Sequence, residues 1–330
     1  MALRKPNERK ENKKGWKFLI YGTPGSGKTP FSLTFPKQLF VDSDDGAGDG
    51  TGIYSNENVL IESATLSFKE LREDLDAIEN EEKLFDSIET ITVDSISRFY
   101  ENQQHSALKV VDQRARKNKR LVEGEGLSVK EWGRIALDYD LMYGRFLEYA
   151  QIGKTIVILA EQKDRNENIG GQPTKVGVMP NAPKNVEHDF DIVIRTYKDD
   201  MTGEVFGEVL KDRTEKFKVG DTIEKPSYNH WADVIEKRKD GKEVSKDKVL
   251  SMEKQIEKQA EEFDEDFSIL KNEINSVVQQ LSANGKKQFA GLLKKELDKI
   301  NFKDFMKKEE LNIALKFAKE VLKADTKSKK

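Results

Sequence analysis

The chain has no cysteine in its 330 residues. That removes disulfide frameworks, thiol nucleophiles and cysteine-ligated zinc or iron–sulfur sites together. Histidine is scarce too: His105, His188 and His230 stand far apart with no HxxxH or HxH spacing, so a histidine-led metal site is not expected. No apolar run approaches the ~18 residues that a membrane span needs. With 36% hydrophobic and 35% charged residues and a mean hydropathy of -0.72, the composition is that of a charge-rich soluble protein. Met1 to Pro6 leads into polar residues rather than an apolar leader, and the expected location is the cytoplasm.

The net charge of -3 hides an uneven distribution of 57 basic and 60 acidic residues. Residues 1–15 form a basic arm with almost nothing to bury and are predicted to be flexible. From Trp16, short β-rich runs alternate with helical patterns: Trp16 to Tyr21, Leu39 to Asp42, Val59 to Ile61, Ile88 to Asp94, Thr155 to Ala160 and Ile192 to Tyr197. This rhythm predicts an α/β core over 16–235 with a mainly parallel sheet flanked by helices.

Ser67 to Glu70 and Ser128 to Glu131 both have capping-box spacing. Phe68, Leu71, Leu75 and Ile78 fall on one face behind the first. Behind the second, Val129, Trp132, Ile135, Ala136, Tyr139, Tyr143, Phe146, Leu147 and Ala150 form a stripe read as core. A turn around Asp199 to Gly203 predicts a terminal β-hairpin. Residues 236–330, rich in lysine, glutamate and leucine, read as a helical module with a polar tail, its first break at Asn284-Gly285.

Gly22-Thr23-Pro24-Gly25-Ser26-Gly27-Lys28-Thr29 satisfies G-x-x-x-x-G-K-[ST] in full, between a β run and a segment able to form a helix. The glycines let backbone N–H groups turn toward phosphates, Lys28 brings a mobile positive charge, and the Thr29 hydroxyl suits Mg²⁺. The β run ending in Asp94 supplies a carboxylate as the second oxygen group for the metal, on a strand expected to neighbour the first. ATP and Mg²⁺ are the implied cofactors.

With these pieces in order the chain resembles a RecA-type ATPase core, and particularly the phage RecA-like single-strand-annealing and recombination proteins. The resemblance spans residues 16 to about 230. It implies that Asp44, two residues after the strand-ending Asp42, activates the attacking water, with Asp42 or Asp45 as alternatives. Gln162, the last residue of the run Ile156 to Gln162, corresponds to a γ-phosphate sensor. The polar stretch Lys163 to Pro180 corresponds to a mobile DNA-binding loop with Lys163, Arg165 and Lys175 as phosphate contacts. Lys109, Arg114, Arg116, Lys117, Lys119 and Arg120 lie where the family has its other DNA-facing loop. Lys211 and Arg213 match a basic element that reaches a neighbouring subunit's nucleotide. The resemblance therefore implies an ATPase that binds single-stranded DNA, assembles as a homo-oligomeric ring or filament, and promotes annealing or strand exchange, in a host cytoplasm if phage-encoded. The alternative is a P-loop ATPase or nucleotide switch that acts on a protein partner through its C-terminal helices, without touching DNA.

Overall fold

The structure is a computed structural model that describes residues 13–43, 56–117, 126–183, 186–239, 241, 252–298, 301–302 and 308–327. It divides into two compact units, 1–251 and 252–330. Among the described residues, nine strands of the first unit are β1 (Lys17–Gly22), β2 (Gln38–Asp42), β3 (Val59–Ala64), β4 (Thr90–Asp94), β5 (Thr155–Ile169), β6 (Gln172–Pro180), β7 (Ile192–Lys198), β8 (Val205–Asp212) and β9 (Thr222–Glu224). The sheet order is β3-β2-β4-β5-β1-β7-β8-β9, with β6 paired to β5. From β3 to β7 every pairing is parallel, while β8, β9 and β6 join antiparallel. The expected mainly parallel sheet with a hairpin at one side is thus present.

The central strands are continuous apolar runs because both faces are covered. In β1, Leu19 and Tyr21 join one buried cluster and Phe18 and Ile20 the other; in β5, Ile156, Ile158 and Ala160 face the first, Val157 and Leu159 the second. Helices α1 (Lys28–Ser32) and α6 (Ala232–Lys239) contribute to the second cluster through Phe31 and Ile235. The first is covered by α2 (Phe68–Asn80), α3 (Glu82–Ser87), α4 (Ile96–Lys117) and α5 (Val129–Gln151). Both segments start helices, but only the second closes a full capping box: Ser128 and Glu131 cap each other's backbone, whereas the Ser67 hydroxyl accepts from the Glu70 N–H while the Glu70 carboxylate takes the Thr65 hydroxyl at 2.6 Å instead of reaching back to Ser67.

The stripe on α5 is core only in part. Val129, Trp132 and Ala136 are exposed, whereas Ile135, Tyr139, Tyr143, Phe146 and Ala150 are buried. The reason is length. α4 leaves the carboxyl end of β4 and α5 returns to the amino end of β5, with Tyr100 beside Tyr139, Gln103 beside Asp138 and Arg114 beside Glu131. Residues 139–151 already span ~18 Å at 1.5 Å per residue, about the height of a five-residue strand. The earlier turns of α5 therefore extend with α4 beyond the carboxyl edge of the sheet as an antiparallel helical arm.

Residues 1–12 of the expected basic arm lie outside the described residues; Gly15 N–H donates to the Ala150 carbonyl at 2.8 Å. The stretch from 236 does not open the helical module but continues α6, held on the core by Trp16 Nε1 donating to the Val234 carbonyl at 3.1 Å and by Lys239 on Glu89. The second unit holds α7 (Met252–Gln279), α8 (Ala283–Leu297) and α9 (Lys308–Lys327) around a core of its own that includes Ile274, Phe289, Leu293, Leu311 and Ala318. Its first break falls at 280–282, ahead of Asn284-Gly285. Ser282 caps α8 by accepting from the Gly285 N–H at 3.0 Å while its own N–H and hydroxyl donate to Asp325, which draws Asn284 and Gly285 into the first turn.

Candidate active site

The motif Gly22–Thr29 forms the bend between β1 and α1. Gly25 and Gly27 have φ of +73° and +89°, the left-handed region that side-chained residues avoid. Gly27 is constrained in space as well, since a Cβ there would meet Val205 Cγ1 at 2.6 Å; the hairpin strand β8 packs on the loop. Ser26 is buried and its hydroxyl lies 2.9 Å from Thr196 Oγ1 on β7. Thr23, Pro24 and Gly25 form the exposed tip. Lys28 folds back to donate to the Gly22 and Thr23 carbonyls at 3.1 and 2.9 Å. Burial pushes its ammonium down from the usual lysine range, while the charges of Asp94 and Glu161 pull the other way.

Asp94 ends β4, which is next but one to β1: β5 lies between them, so the two strands are not the neighbours that the order of motifs suggests. The carboxylate nevertheless reaches the loop, accepting from Thr29 Oγ1 at 2.5 Å. Ser43 N–H donates to the Asp94 carbonyl at 2.8 Å, which brings the end of β2 to the same place. Two hard oxygen donors on adjoining elements suit Mg²⁺, a cation that keeps waters and phosphate oxygens in its shell. Among the described residues no group of three or more His, Cys, Asp or Glu converges as a metal site. The left-handed loop, the half-buried lysine and this oxygen pair fit a magnesium-bound triphosphate.

The AAA_24 family, described as an AAA domain, matches residues 14–223. The chain belongs to this family. No curated protein matches it. A solved structure described as the RadB recombinase is similar at 14% identity, covering 64% of this chain and 86% of that chain with a TM-score of 0.39.

Within this AAA domain the remaining expected residues fall in different places. Asp44 and Asp45 lie outside the described residues; Asp42 is buried at the end of β2, in register with Asp94. Strand alternation sets Gln162 on the face shared by Ile158 and Ala160. Glu161 follows Val157 and Leu159 on the other face, level with Gly22 of the loop. It is Glu161, not singled out from the sequence, whose charge acts on Lys28. Arg98 Nε lies 3.5 Å from its carboxylate. Counting in twos from Leu159 is the signal that could have found it. Around it, Ser97 Oγ accepts from the Glu161 N–H at 2.9 Å and donates to the Asn181 carbonyl at 2.6 Å, and Asn181 N–H donates to the Glu161 carbonyl at 2.7 Å.

Lys163 to Pro180 is not a loop: β5 runs on past the sheet and pairs with β6 as a ribbon turning at Gly170-Gly171. Lys175 pairs with Asp164 at 2.7 Å and Arg165 with Glu167 at 3.0 Å. Burial lowers the Lys163 ammonium. Lys109, Arg114, Arg116 and Lys117 are exposed on the distal half of α4, a helix where the resemblance has a loop; Lys119 and Arg120 lie outside the described residues. Lys211 and Arg213 sit at the opposite edge of the sheet from Lys28, because Asp212 pairs with Ile192, itself level with Phe18 at the start of β1. There Lys211 donates to the Glu187 and His188 carbonyls and Arg213 to Asp191.

Proposed function

We propose that the chain is a magnesium-dependent ATPase that binds single-stranded DNA and, as a homo-oligomeric ring or filament, promotes annealing or strand exchange. The observation that carries the nucleotide half is the 2.5 Å contact of Thr29 with Asp94 beneath a loop whose Gly25 and Gly27 are left-handed. Lys28 would meet the outer phosphates, Thr29 and Asp94 would hold Mg²⁺, and the metal would neutralise charge on the transferring phosphoryl group. Asp44 is the proposed water-activating carboxylate. The chemistry asks the protein mainly for positioning and charge neutralisation.

Support for the DNA half is topological. The helical arm with Lys109, Arg114, Arg116 and Lys117 and the ribbon with Lys163, Arg165 and Lys175 both rise from the edge that carries the phosphate loop. A strand lying across that edge would contact both while nucleotide sits at their base. Lys211 and Arg213, at the far edge, are out of reach of their own loop, so any action on nucleotide is on a neighbour's.

The deciding experiment is ATP turnover with and without single-stranded DNA, for wild type, Lys28→Ala and Arg213→Ala. Loss of turnover in Lys28→Ala, stimulation of wild type by DNA, and rescue of Arg213→Ala by mixing with Lys28→Ala subunits are the expected results. Turnover indifferent to DNA, with no DNA binding at low salt in the presence of ATP, favours instead a switch acting on a protein partner.

A further inference from the structure

On one flank of the helical arm, the start of α2, the middle of α4 and the first turns of α5 enclose an open trough of about 660 Å³. It shares no residue with the phosphate loop. Its floor is apolar, formed by Leu66, Phe68, Ala107, Val110 and Ile135. Leu66 and Val110 are 43% and 41% exposed, large apolar side chains left open to solvent. The walls carry Lys69, Arg72, Arg114, Lys130 and Arg134 against two carboxylates, Glu131 and Asp138.

Those two carboxylates are already engaged. Glu131 closes the α5 capping box and takes Arg114 at 3.3 Å, and Asp138 accepts from Gln103 Nε2 at 3.4 Å. Lys69 pairs with Glu73 on its own helix. Arg72, Lys130 and Arg134 form no ion pair among the described residues. An apolar floor under an uncompensated row of cations is the complement of a helix with an apolar stripe and acidic flanks.

We propose that this trough docks a short acidic amphipathic helix of a partner protein, its apolar stripe on Val110 and Leu66 and its carboxylates on Arg72, Lys130 and Arg134. Single-stranded nucleic acid suits it less. Among the described lining residues the one aromatic is Phe68, stacked on Phe99 and edge-on to Tyr139 at 6% exposure, so no ring face is offered to a base. A symmetric contact with a second copy is disfavoured because the same cations would face each other.

The test uses the full-length protein and a fluorescein-labelled acidic 15-mer with leucines at i, i+3, i+4 and i+7. Its controls are a scrambled peptide of the same composition and a single-stranded 15-mer oligonucleotide. The patterned peptide is expected to bind, the scrambled one about tenfold more weakly. Arg72→Glu with Arg134→Glu should lose the acidic peptide and gain its lysine-substituted counterpart, a swap that also certifies folding. Lys28→Ala should bind the acidic peptide like wild type. Equal binding of patterned and scrambled peptides, affinity unchanged in the double reversal, or displacement of the peptide by the oligonucleotide would each overturn the proposal. So would failure of the double reversal to accept the lysine peptide.

Discussion

Gly27 carries two constraints at once: its backbone lies at φ +89°, and the space a Cβ would need is filled by Val205 at 2.6 Å. Gly27→Ala should therefore strain the loop by roughly 1–3 kcal/mol and weaken nucleotide binding, visible in a thermal melt and in titration with a fluorescent ATP analogue. Gly25→Ala separates the two effects, since it has a similar φ of +73° but nothing within 4 Å of its Cβ position. Glu161 makes a second comparison possible. Its carboxylate lies level with Gly22 of the loop, acts on Lys28 through its charge and would oppose a triphosphate, so Glu161→Gln should tighten binding of a non-hydrolysable analogue by up to about tenfold, an effect that shrinks with salt. Gln162→Ala should leave that affinity alone. Equal effects from the two changes would remove the assignment of Glu161 to the loop face.

Among the elements, α6 shows how a segment is recruited to the core by a few contacts. Lys239 Nζ reaches Glu89 Oε2 at 2.5 Å, Lys37 Nζ reaches its Oε1 at 2.8 Å, and the Arg238 guanidinium lies over the Trp16 ring at 3.2 Å. Burial pushes the Glu89 carboxyl up, but the two lysines outweigh it and hold it below the usual carboxylate value of 4.5. A carboxyl depressed in the folded state stabilises above that value and loses its contribution as the pH falls through the folded-state range. Glu89→Gln should therefore destabilise at pH 7 by about 1 kcal/mol at most, because this pair is partly exposed and screened. The gap between variant and wild type should close in acid, which urea denaturation at pH 7 and below pH 4 would measure. The helical arm and the ribbon belong to the same scale. Neither was legible as such: alternation and helical periodicity mark strands and helices, but not how far each overshoots the sheet. The stripe on α5 reads as uniform core from Val129 to Ala150, yet it joins the cluster on the sheet only from Tyr139 onward, and of the earlier stripe positions Ile135 is buried while Val129, Trp132 and Ala136 are exposed.

For the whole molecule, two units with separate cores make a direct expectation. A chain ending at Ser251 should fold and bind nucleotide with affinity close to that of the full protein, since the phosphate loop, Asp94 and both of its flanking clusters lie in the first unit. Loss of binding in a folded 1–251 fragment would contradict this. If the arm holds single-stranded DNA, Arg116→Glu with Lys117→Glu should flatten the plot of log affinity against log salt by about 1.4, at ~0.7 for each phosphate left without its cation, and weaken binding evenly across sequences. An unchanged slope would take the arm out of the interface.

The order of residues was by itself enough to determine the phosphate loop, the strand ending in Asp94, the serine N-caps at Ser67 and Ser128 and the alternation of β and α. Each of these rests on chemistry within a few neighbouring positions: glycines where φ must be positive, a hydroxyl next to free N–H groups, apolar side chains at a fixed period. What the tertiary structure alone decided depends on contacts between distant segments. It inserted β5 between β1 and β4, turned Glu161 rather than Gln162 toward Lys28, sent Lys211 and Arg213 to the far edge, and left a cationic trough on the arm. Sheet order and strand overshoot are set by which apolar faces cover one another, and local periodicity carries no record of that choice.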